Sequence, residues 1–125
     1  MSLIECRGVT KKFGDVLVLN NINLEIGDCS QVVIQGASGS GKSTLLYLLG
    51  GLDTPDNGIV KIADQELSKF NDEQLATFRN KNIGFIFQFH FLLPSMTCMQ
   101  NILLPAQIGG VLNKEVKSYA IEIAK

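Results

Sequence analysis

The segment GASGSGKST, residues 36–44, has the residue types and spacing of a loop that holds phosphate groups. It fits the pattern G-x-x-x-x-G-K-[ST], in which Gly36 and Gly41 are the glycines, Lys42 the base and Ser43 the hydroxyl. Glycine lets the main chain bring several N–H groups close to phosphate oxygens, and a helix beginning near Lys42 adds the positive end of its dipole. The pattern therefore predicts a nucleotide-phosphate site.

Each residue type in this loop has a chemical role in the predicted site. Lys42 should reach the β- and γ-phosphates, the Ser43 hydroxyl should bind Mg²⁺, and Thr44 should add a phosphate hydrogen bond. The predicted nucleotide-binding residues of the loop are Gly36, Ala37, Ser38, Gly39, Ser40, Gly41, Lys42, Ser43 and Thr44. A glycine-rich turn that matches by chance is the alternative, and the order strand, loop, helix argues against it.

Three strands and a helix are predicted to position the loop. LIECRGVTKKF, residues 3–13, and VLVLNNINLEI, residues 16–26, have the composition of two strands joined by a turn at Gly14 and Asp15. SQVVIQG, residues 30–36, carries three successive β-branched residues, which is typical of a buried parallel strand. The run TLLYLLG that follows the loop predicts the helix.

Later segments contain further turn and helix signals. The turn sequence DTPDNG precedes another strand, IVKIA. Asn71 with Gln74, and Thr97 with Gln100, have the spacing of capping boxes, so each pair predicts the start of a helix.

Four phenylalanines alternate in IGFIFQFHFLLP, residues 83–94. Alternation predicts a strand as far as about Phe87, with Phe85 and Phe87 in the core. Gln88 interrupts the apolar pattern, so the segment beyond it should leave the sheet as an exposed apolar surface. Such a surface usually marks a partner site. The predicted partner-binding residues are Phe89, His90, Phe91 and Leu92.

Composition excludes several classes of function. The chain has 125 residues, of which 46% are hydrophobic, and a net charge of −1, which suits one globular unit. Basic and acidic residues are mixed along the chain, so no basic stripe for nucleic acid is expected. No apolar run reaches the roughly 18 residues of a membrane helix. Cys6, Cys29 and Cys98 are widely spaced and only one histidine is present, so reduced thiols are expected rather than a metal site.

A family resemblance rests on these segments in order. KKFGDVLVL, GASGSGKST, GIVKIAD and a strand ending in Gln88 resemble the first half of an ATP-binding cassette (ABC) transporter ATPase. LLYLLGGLDTPDNG and RNKNIGFIFQFHFLLPSMT are similar to the ATPase subunits of lipoprotein-releasing and macrolide-export systems. The resemblance implies an α/β fold with a RecA-like P-loop NTPase core. It also implies an N-terminal antiparallel β-layer, in about residues 1–30 and 56–64, and a fold incomplete at its C-terminal side.

The resemblance also implies cofactors, partners and roles. ATP and Mg²⁺ are the expected cofactors, Phe13 is expected to stack on adenine, and Val18 should pack nearby. A core position in the β-layer is the alternative for Phe13. Gln88 matches the Q-loop glutamine that approaches Mg²⁺ and the attacking water, so Lys42 and Gln88 are the expected catalytic residues. A membrane permease should dock at the exposed segment, and a second ATPase subunit should complete the site, on the cytoplasmic face of the membrane.

Two motifs of the family are missing from the sequence. No apolar run ends in Asp-Glu, and no segment resembles LSGGQ. The chain is therefore expected to be the N-terminal part of one nucleotide-binding domain, which binds ATP without hydrolysing it alone. A P-loop kinase or GTPase is an alternative, although NKNI at residues 80–83 lacks the acid of the Asn-Lys-x-Asp motif. A non-hydrolysing binding or regulatory module is another alternative.

Overall fold

The structure, a computed structural model, describes residues 2–125, which form two compact units divided after Leu75. The first unit contains β1 (Ser2–Phe13), β2 (Val16–Gly27), α1 (Lys42–Leu49), β3 (Asn57–Ile62), β4 (Gln65–Glu66) and a 3-10 turn (Leu67–Lys69). Helix α2 (Asp72–Asn82) begins there and continues into the second unit, which also contains α3 (Cys98–Ile108) and α4 (Lys114–Ile123).

One antiparallel sheet, in the order β2-β1-β3-β4, organises the first unit. The β1–β2 hairpin closes where Phe13 pairs with Val16, and Gly14 has a φ of 59° in the turn, as such a turn requires. Cys6 lies at the centre of the sheet, paired with Leu24 on one side and Val60 on the other. The two early strands and the turn between them are confirmed, as is the α/β fold class with its antiparallel layer.

The core of the first unit lies between this sheet and α1. Helix α1 contacts β2 and β3, and Leu48 on α1 is fully buried together with Val9 on β1. Strands β1 and β3 approach so closely at Gly58 that an added Cβ would lie 2.5 Å from the carbonyl oxygen of Gly8. Because of this close approach and its φ of 91°, the position requires a glycine.

The predicted strand at residues 30–36 is wrong. The segment has no regular secondary structure and lies outside the sheet, and Val33 is 78% exposed instead of buried. A strand needs hydrogen-bonding neighbours, and the only sheet among the described residues is the four-stranded antiparallel one. Apolar composition alone therefore does not place this segment in a sheet.

The predicted strand ending at about Phe87 is also wrong. Residues 83–87 of the second unit carry no strand, Ile86 is fully exposed, and Phe87 is exposed as well. Phe85 is half-buried. The placement of Phe85 and Phe87 in the core of a sheet is therefore wrong for the same physical reason, the lack of paired strands beside them.

Both capping boxes are confirmed. At the start of α2, the backbone N–H of Gln74 donates to Asn71 Oδ1 at 2.8 Å, and the backbone N–H of Asn71 donates to Gln74 Oε1 at 3.0 Å. At the start of α3, the Gln100 N–H donates to Thr97 Oγ1 at 3.1 Å, and the Thr97 N–H donates to Gln100 Oε1 at 2.8 Å. These bonds satisfy donors that the first helical turn leaves without partners.

Candidate nucleotide site

Two glycines set the conformation of the loop at residues 36–44. Gly39 has a φ of 79° and Gly41 a φ of 97°, both in the left-handed region that side chains disfavour. Between them the Ser40 N–H donates to the Ala37 carbonyl at 3.1 Å and closes a turn. The backbone of the loop thus favours glycine at Gly41, a glycine of the motif, and at Gly39, which stands at one of the motif's variable positions.

Gly41 also lies directly against β2. A Cβ on this residue would be 3.0 Å from Val18 Cγ1 and 3.1 Å from the Val18 carbonyl oxygen. The start of α1 is therefore packed on β2 with no room for a side chain. This contact brings Val18, named as a candidate nucleotide contact, beside the loop.

The Lys42 ammonium folds back over the first residues of the loop. Its Nζ donates to the carbonyl oxygens of Gly36 and Ala37, each at 2.7 Å. An ammonium has three N–H donors, so one donor remains for an anion after these two bonds. The loop thus carries a positive charge held in place by its own backbone.

The first turn of α1 is open to an anion. The first helical bond runs from the Leu45 N–H to the Gly41 carbonyl at 2.9 Å, so the N–H groups of Lys42, Ser43 and Thr44 have no acceptor within the helix. Gly41 supplies no capping side chain, and the described first turn contains no acidic residue. No carboxylate from the helix's own first turn therefore neutralises the positive end of its dipole.

This donor set fits the phosphates of a nucleotide. Backbone N–H groups and the Lys42 ammonium are the donors that phosphate oxygens accept from. The Ser43 hydroxyl is exposed and is an oxygen ligand of the kind that Mg²⁺ takes. Within residues 2–125, no group of three or more His, Cys, Asp or Glu side chains could hold a metal ion. An Mg²⁺ ion at this hydroxyl would take its other oxygen ligands from phosphates, water and further protein groups.

Phe13 is more exposed than a core residue. It ends β1 and 52% of its surface is exposed, which contradicts the alternative of a core position. The Lys11 ammonium lies 5.3 Å from the centre of its ring. Sequence reasoning missed Lys11, although its place two residues before Phe13 puts both side chains on one face of the strand.

Gln88 and the aromatic segment after it lie in the second unit, whereas the loop at residues 36–44 lies in the first. The rings form a chain, in which Phe87 stacks on Phe85 at 5.3 Å and meets Phe91 edge-on at 5.1 Å. Phe91 has a φ of 44°, a strained conformation for a bulky residue. The predicted partner-binding residues are all exposed, and they are Phe89, His90, Phe91 and Leu92.

Among residues 2–125, Cys6 and Glu66 have shifted pKa values, and neither group resembles a catalytic base. Burial, with Glu5 nearby, raises the pKa of the Cys6 thiol to about 11, so this cysteine stays protonated in the core. A hydrogen bond from Ser68 and an ion pair with Lys69 lower the pKa of Glu66. A carboxylate stabilised in this way is a weak base.

A glycine-rich phosphate loop at the start of a helix, packed against a sheet, defines a P-loop nucleotide-binding protein. None of the helices between residues 2 and 125 has the length and apolar character needed to cross a membrane. The family model described as ABC transporter matches residues 19–124. The chain therefore belongs to the ABC transporter family, and the resemblance inferred from the sequence is confirmed.

Curated relatives are similar to this chain over nearly all of its length. It is 49% identical over 121 residues to the lipoprotein-releasing system ATP-binding protein LolD of Bacteroides thetaiotaomicron, covering 97% of this chain and 56% of the relative. It is 48% identical over 123 residues to the LolD protein of Cytophaga hutchinsonii, covering 98% of this chain and 56% of the relative. The chain thus spans about half the length of the curated relatives that it matches.

Solved structures agree on the fold. A dimeric, post-hydrolysis state of an ATP-binding cassette bound to ADP and Pi is similar with a TM-score of 0.87 and 36% identity, over 95% of this chain and 54% of that one. A dimeric bacterial ABC transporter cassette is similar with the same TM-score of 0.87 and 37% identity, over the same shares. The P-loop fold class is confirmed by these similarities.

Proposed function

We propose that this chain forms the N-terminal part of one ABC nucleotide-binding domain and binds ATP with Mg²⁺ through residues 36–44. The observation that carries the proposal is the Lys42 ammonium, bonded to the Gly36 and Ala37 carbonyls at 2.7 Å beside the open first turn of α1. A nucleotide triphosphate supplies the anion that this arrangement can accept.

Each candidate residue has a role in the proposal. The backbone N–H groups of the loop and Lys42 bind phosphate oxygens, and the Ser43 hydroxyl holds Mg²⁺, which when bound neutralises phosphate charge. Phe13 stacks on the adenine and Val18 packs beside it. Gln88 contacts the metal and orients the attacking water in the complete subunit.

The complete subunit is proposed to hydrolyse ATP and to drive a membrane permease, with lipoprotein release as the transport process. The names of the LolD relatives support the process, and the dimeric cassette bound to ADP and Pi supports a second ATPase subunit and nucleotide turnover. The subunit would lie on the cytoplasmic face of the membrane, held by the permease. The exposed residues Phe89, His90, Phe91 and Leu92 are the proposed contact with the permease.

The 125-residue chain alone is proposed to bind ATP without hydrolysing it. Hydrolysis requires a base or an equivalent group that orients the attacking water, and no recognised motif of this sequence supplies that carboxylate. Phosphate release from the purified chain should therefore stay at the background rate. Turnover that Lys42→Ala abolishes would contradict this and would direct attention to Asp64 or Glu66.

Binding is tested with Lys42→Ala and, as a matched control, Lys81→Ala. Lys81 is an exposed lysine on α2, outside the phosphate loop, so its loss changes net charge equally. Isothermal titration calorimetry should show ATP affinity lowered tenfold or more in Lys42→Ala, which corresponds to a loss of about 1.4 kcal/mol or more of binding free energy. Lys81→Ala should bind as the wild type does. Equal affinity in both variants would overturn the P-loop assignment.

The partner surface is tested in the complete subunit with Phe89→Ala and Phe91→Ala. Tyr119→Ala is the matched control, since Tyr119 on α4 is 64% exposed and Phe91 is also 64% exposed. Both phenylalanine variants should bind ATP normally but associate less with the permease in co-purification. Association unaffected by either variant, or lowered equally by Tyr119→Ala, would argue against this surface.

A further inference from the structure

We propose that Lys11 is a positioning residue that orients Phe13 for base recognition and ties it to the helix of the phosphate loop. The inference rests on the proposed function, because it concerns how the same site recognises the base. Lys11 belongs to no part of the P-loop motif. Three features support this role, namely its burial, its ion pair and its place over the Phe13 ring.

Lys11 is a buried charged side chain, only 9% exposed, on the central strand β1. Its Nζ donates to Asp53 Oδ1 at 3.2 Å and to the Thr54 carbonyl at 2.8 Å. Asp53 Oδ1 also accepts from the Thr54 N–H at 2.8 Å, which fixes the carboxylate. The ammonium is therefore held at one place, because both of its oxygen partners belong to one turn.

The turn that holds Lys11 is bonded to α1. The N–H groups of Leu52 and Asp53 donate to the Tyr47 carbonyl at 2.8 Å and 3.3 Å, so residues 52–53 are hydrogen-bonded to the last turn of this helix. The same helix begins at Lys42. The ion pair thus joins the end of the P-loop helix to the strand that ends at Phe13. Through this connection, the position of Phe13 depends on the helix that presents the phosphate donors.

The ammonium also fixes the ring. Lys11 Nζ lies over Phe13 at 5.3 Å from the ring centre, within the range of a cation–π contact. Phe13 has no hydroxyl to bond, and the contact with the ammonium contributes to orienting this half-exposed ring. With one face under the ammonium, the opposite face is the surface on which a planar base stacks. Lys11 therefore acts on the base through Phe13, without contacting the nucleotide itself.

The test compares ATP with inorganic triphosphate, which lacks the base, in isothermal titrations of the whole chain. Lys11→Met keeps the apolar stem but loses the charge, and should weaken ATP by about three- to tenfold while leaving triphosphate affinity unchanged. Lys11→Arg retains a cation that can lie over the ring and should restore most of the ATP affinity. The matched control is Lys12→Met, because Lys12 is an exposed lysine at the next position of β1. This variant should bind both ligands normally.

A spectroscopic readout separates positioning from a loss of stability. The chain contains no tryptophan, so Phe13→Trp gives an emission signal from that ring alone. Its emission should change with ATP but not with triphosphate, and adding Lys11→Met should reduce that change. Should Lys11→Met fail to fold, Lys11→Gln keeps a donor for the Thr54 carbonyl and is expected to show the same selective loss of ATP affinity.

Two results in the Lys11 variants, and two in the wild-type chain, would overturn the inference. Equal losses for ATP and triphosphate in the folded Lys11 variant would show a structural role, and unchanged ATP affinity would show no role. A wild-type chain that binds neither ligand would overturn the proposed function itself and the inference with it. A wild-type chain that binds triphosphate and ATP with equal affinity would keep the phosphate site and overturn only the base-recognition role.

Discussion

Gly41→Ala tests the packing of the phosphate loop against β2. Two costs are expected, one from the backbone and one from the contact. At a φ of 97°, an alanine costs about 1–2 kcal/mol of backbone strain. The new Cβ would also lie 3.0 Å from Val18 Cγ1, 3.1 Å from the Val18 carbonyl oxygen and 3.2 Å from Leu19 Cδ2. The carbonyl cannot rotate away as a side chain can, so overpacking should add about 1–3 kcal/mol.

Gly39→Ala supplies a control that shares only the first cost. Gly39 also has a positive φ, of 79°, but an added Cβ meets no described atom within 4 Å. The difference in the free energy of unfolding between the two variants therefore isolates the contact with β2. It should be about 1–3 kcal/mol, with Gly41→Ala the less stable.

Urea unfolding followed by circular dichroism measures this difference, and titration with ATP measures its effect on the site. Gly41→Ala should unfold at a lower urea midpoint than Gly39→Ala, by about 1 M for a protein of this size. It should also bind ATP at least tenfold more weakly, because α1 must shift away from β2 to admit the methyl group. Equal midpoints and equal ATP affinities in the two variants would refute the packing described for the loop.

Three further predictions follow from other sites. Gly58→Ala should lower the free energy of unfolding in urea titrations by about 3 kcal/mol or more, because its Cβ would lie 2.5 Å from the Gly8 backbone. Gly110→Ala is the control and should cost much less, because Gly110 also has a positive φ, of 71°, but an added Cβ would meet open space. Phe13→Ala should weaken ATP far more than inorganic triphosphate, and equal losses in isothermal titration would make Phe13 a structural residue. Because burial raises the pKa of Cys6 from 9.0 to about 11, the folded chain keeps a proton that the unfolded chain loses. The free energy of unfolding should therefore fall as pH rises from about 9 towards about 11, and Cys6→Ala should lack this slope in urea titrations.

Local signals in the sequence predicted much of the candidate site. The spacing of Gly36, Gly41 and Lys42 encodes a loop whose conformation depends on adjacent residues, and the capping boxes at Asn71 and Thr97 depend on residues three positions away. These features could be predicted because the interacting groups are close in the sequence. The β1–β2 hairpin could be predicted for the same reason.

Features that depend on distant residues could not be predicted in this way. The apolar run at residues 30–36 has the composition of a buried strand, but a strand also needs hydrogen-bonded neighbours, and periodicity does not report whether they are present. The aromatic alternation before Gln88 failed for the same reason. Lys11 was missed because its partners, Asp53 and Thr54, lie 42 and 43 positions away in the sequence. Nothing near Lys11 in the sequence distinguishes a buried lysine from an exposed one.

The most direct test of the nucleotide site is the response of backbone amide chemical shifts to ATP with Mg²⁺ in the ¹⁵N-labelled chain. If phosphate oxygens accept from the N–H groups of the loop, the largest changes should fall on residues 36–44, and Lys42→Ala should strongly reduce them. Adenosine without phosphates should leave these amides nearly unchanged. Changes centred elsewhere in the chain, or the same changes in Lys42→Ala, would contradict a phosphate site at this loop.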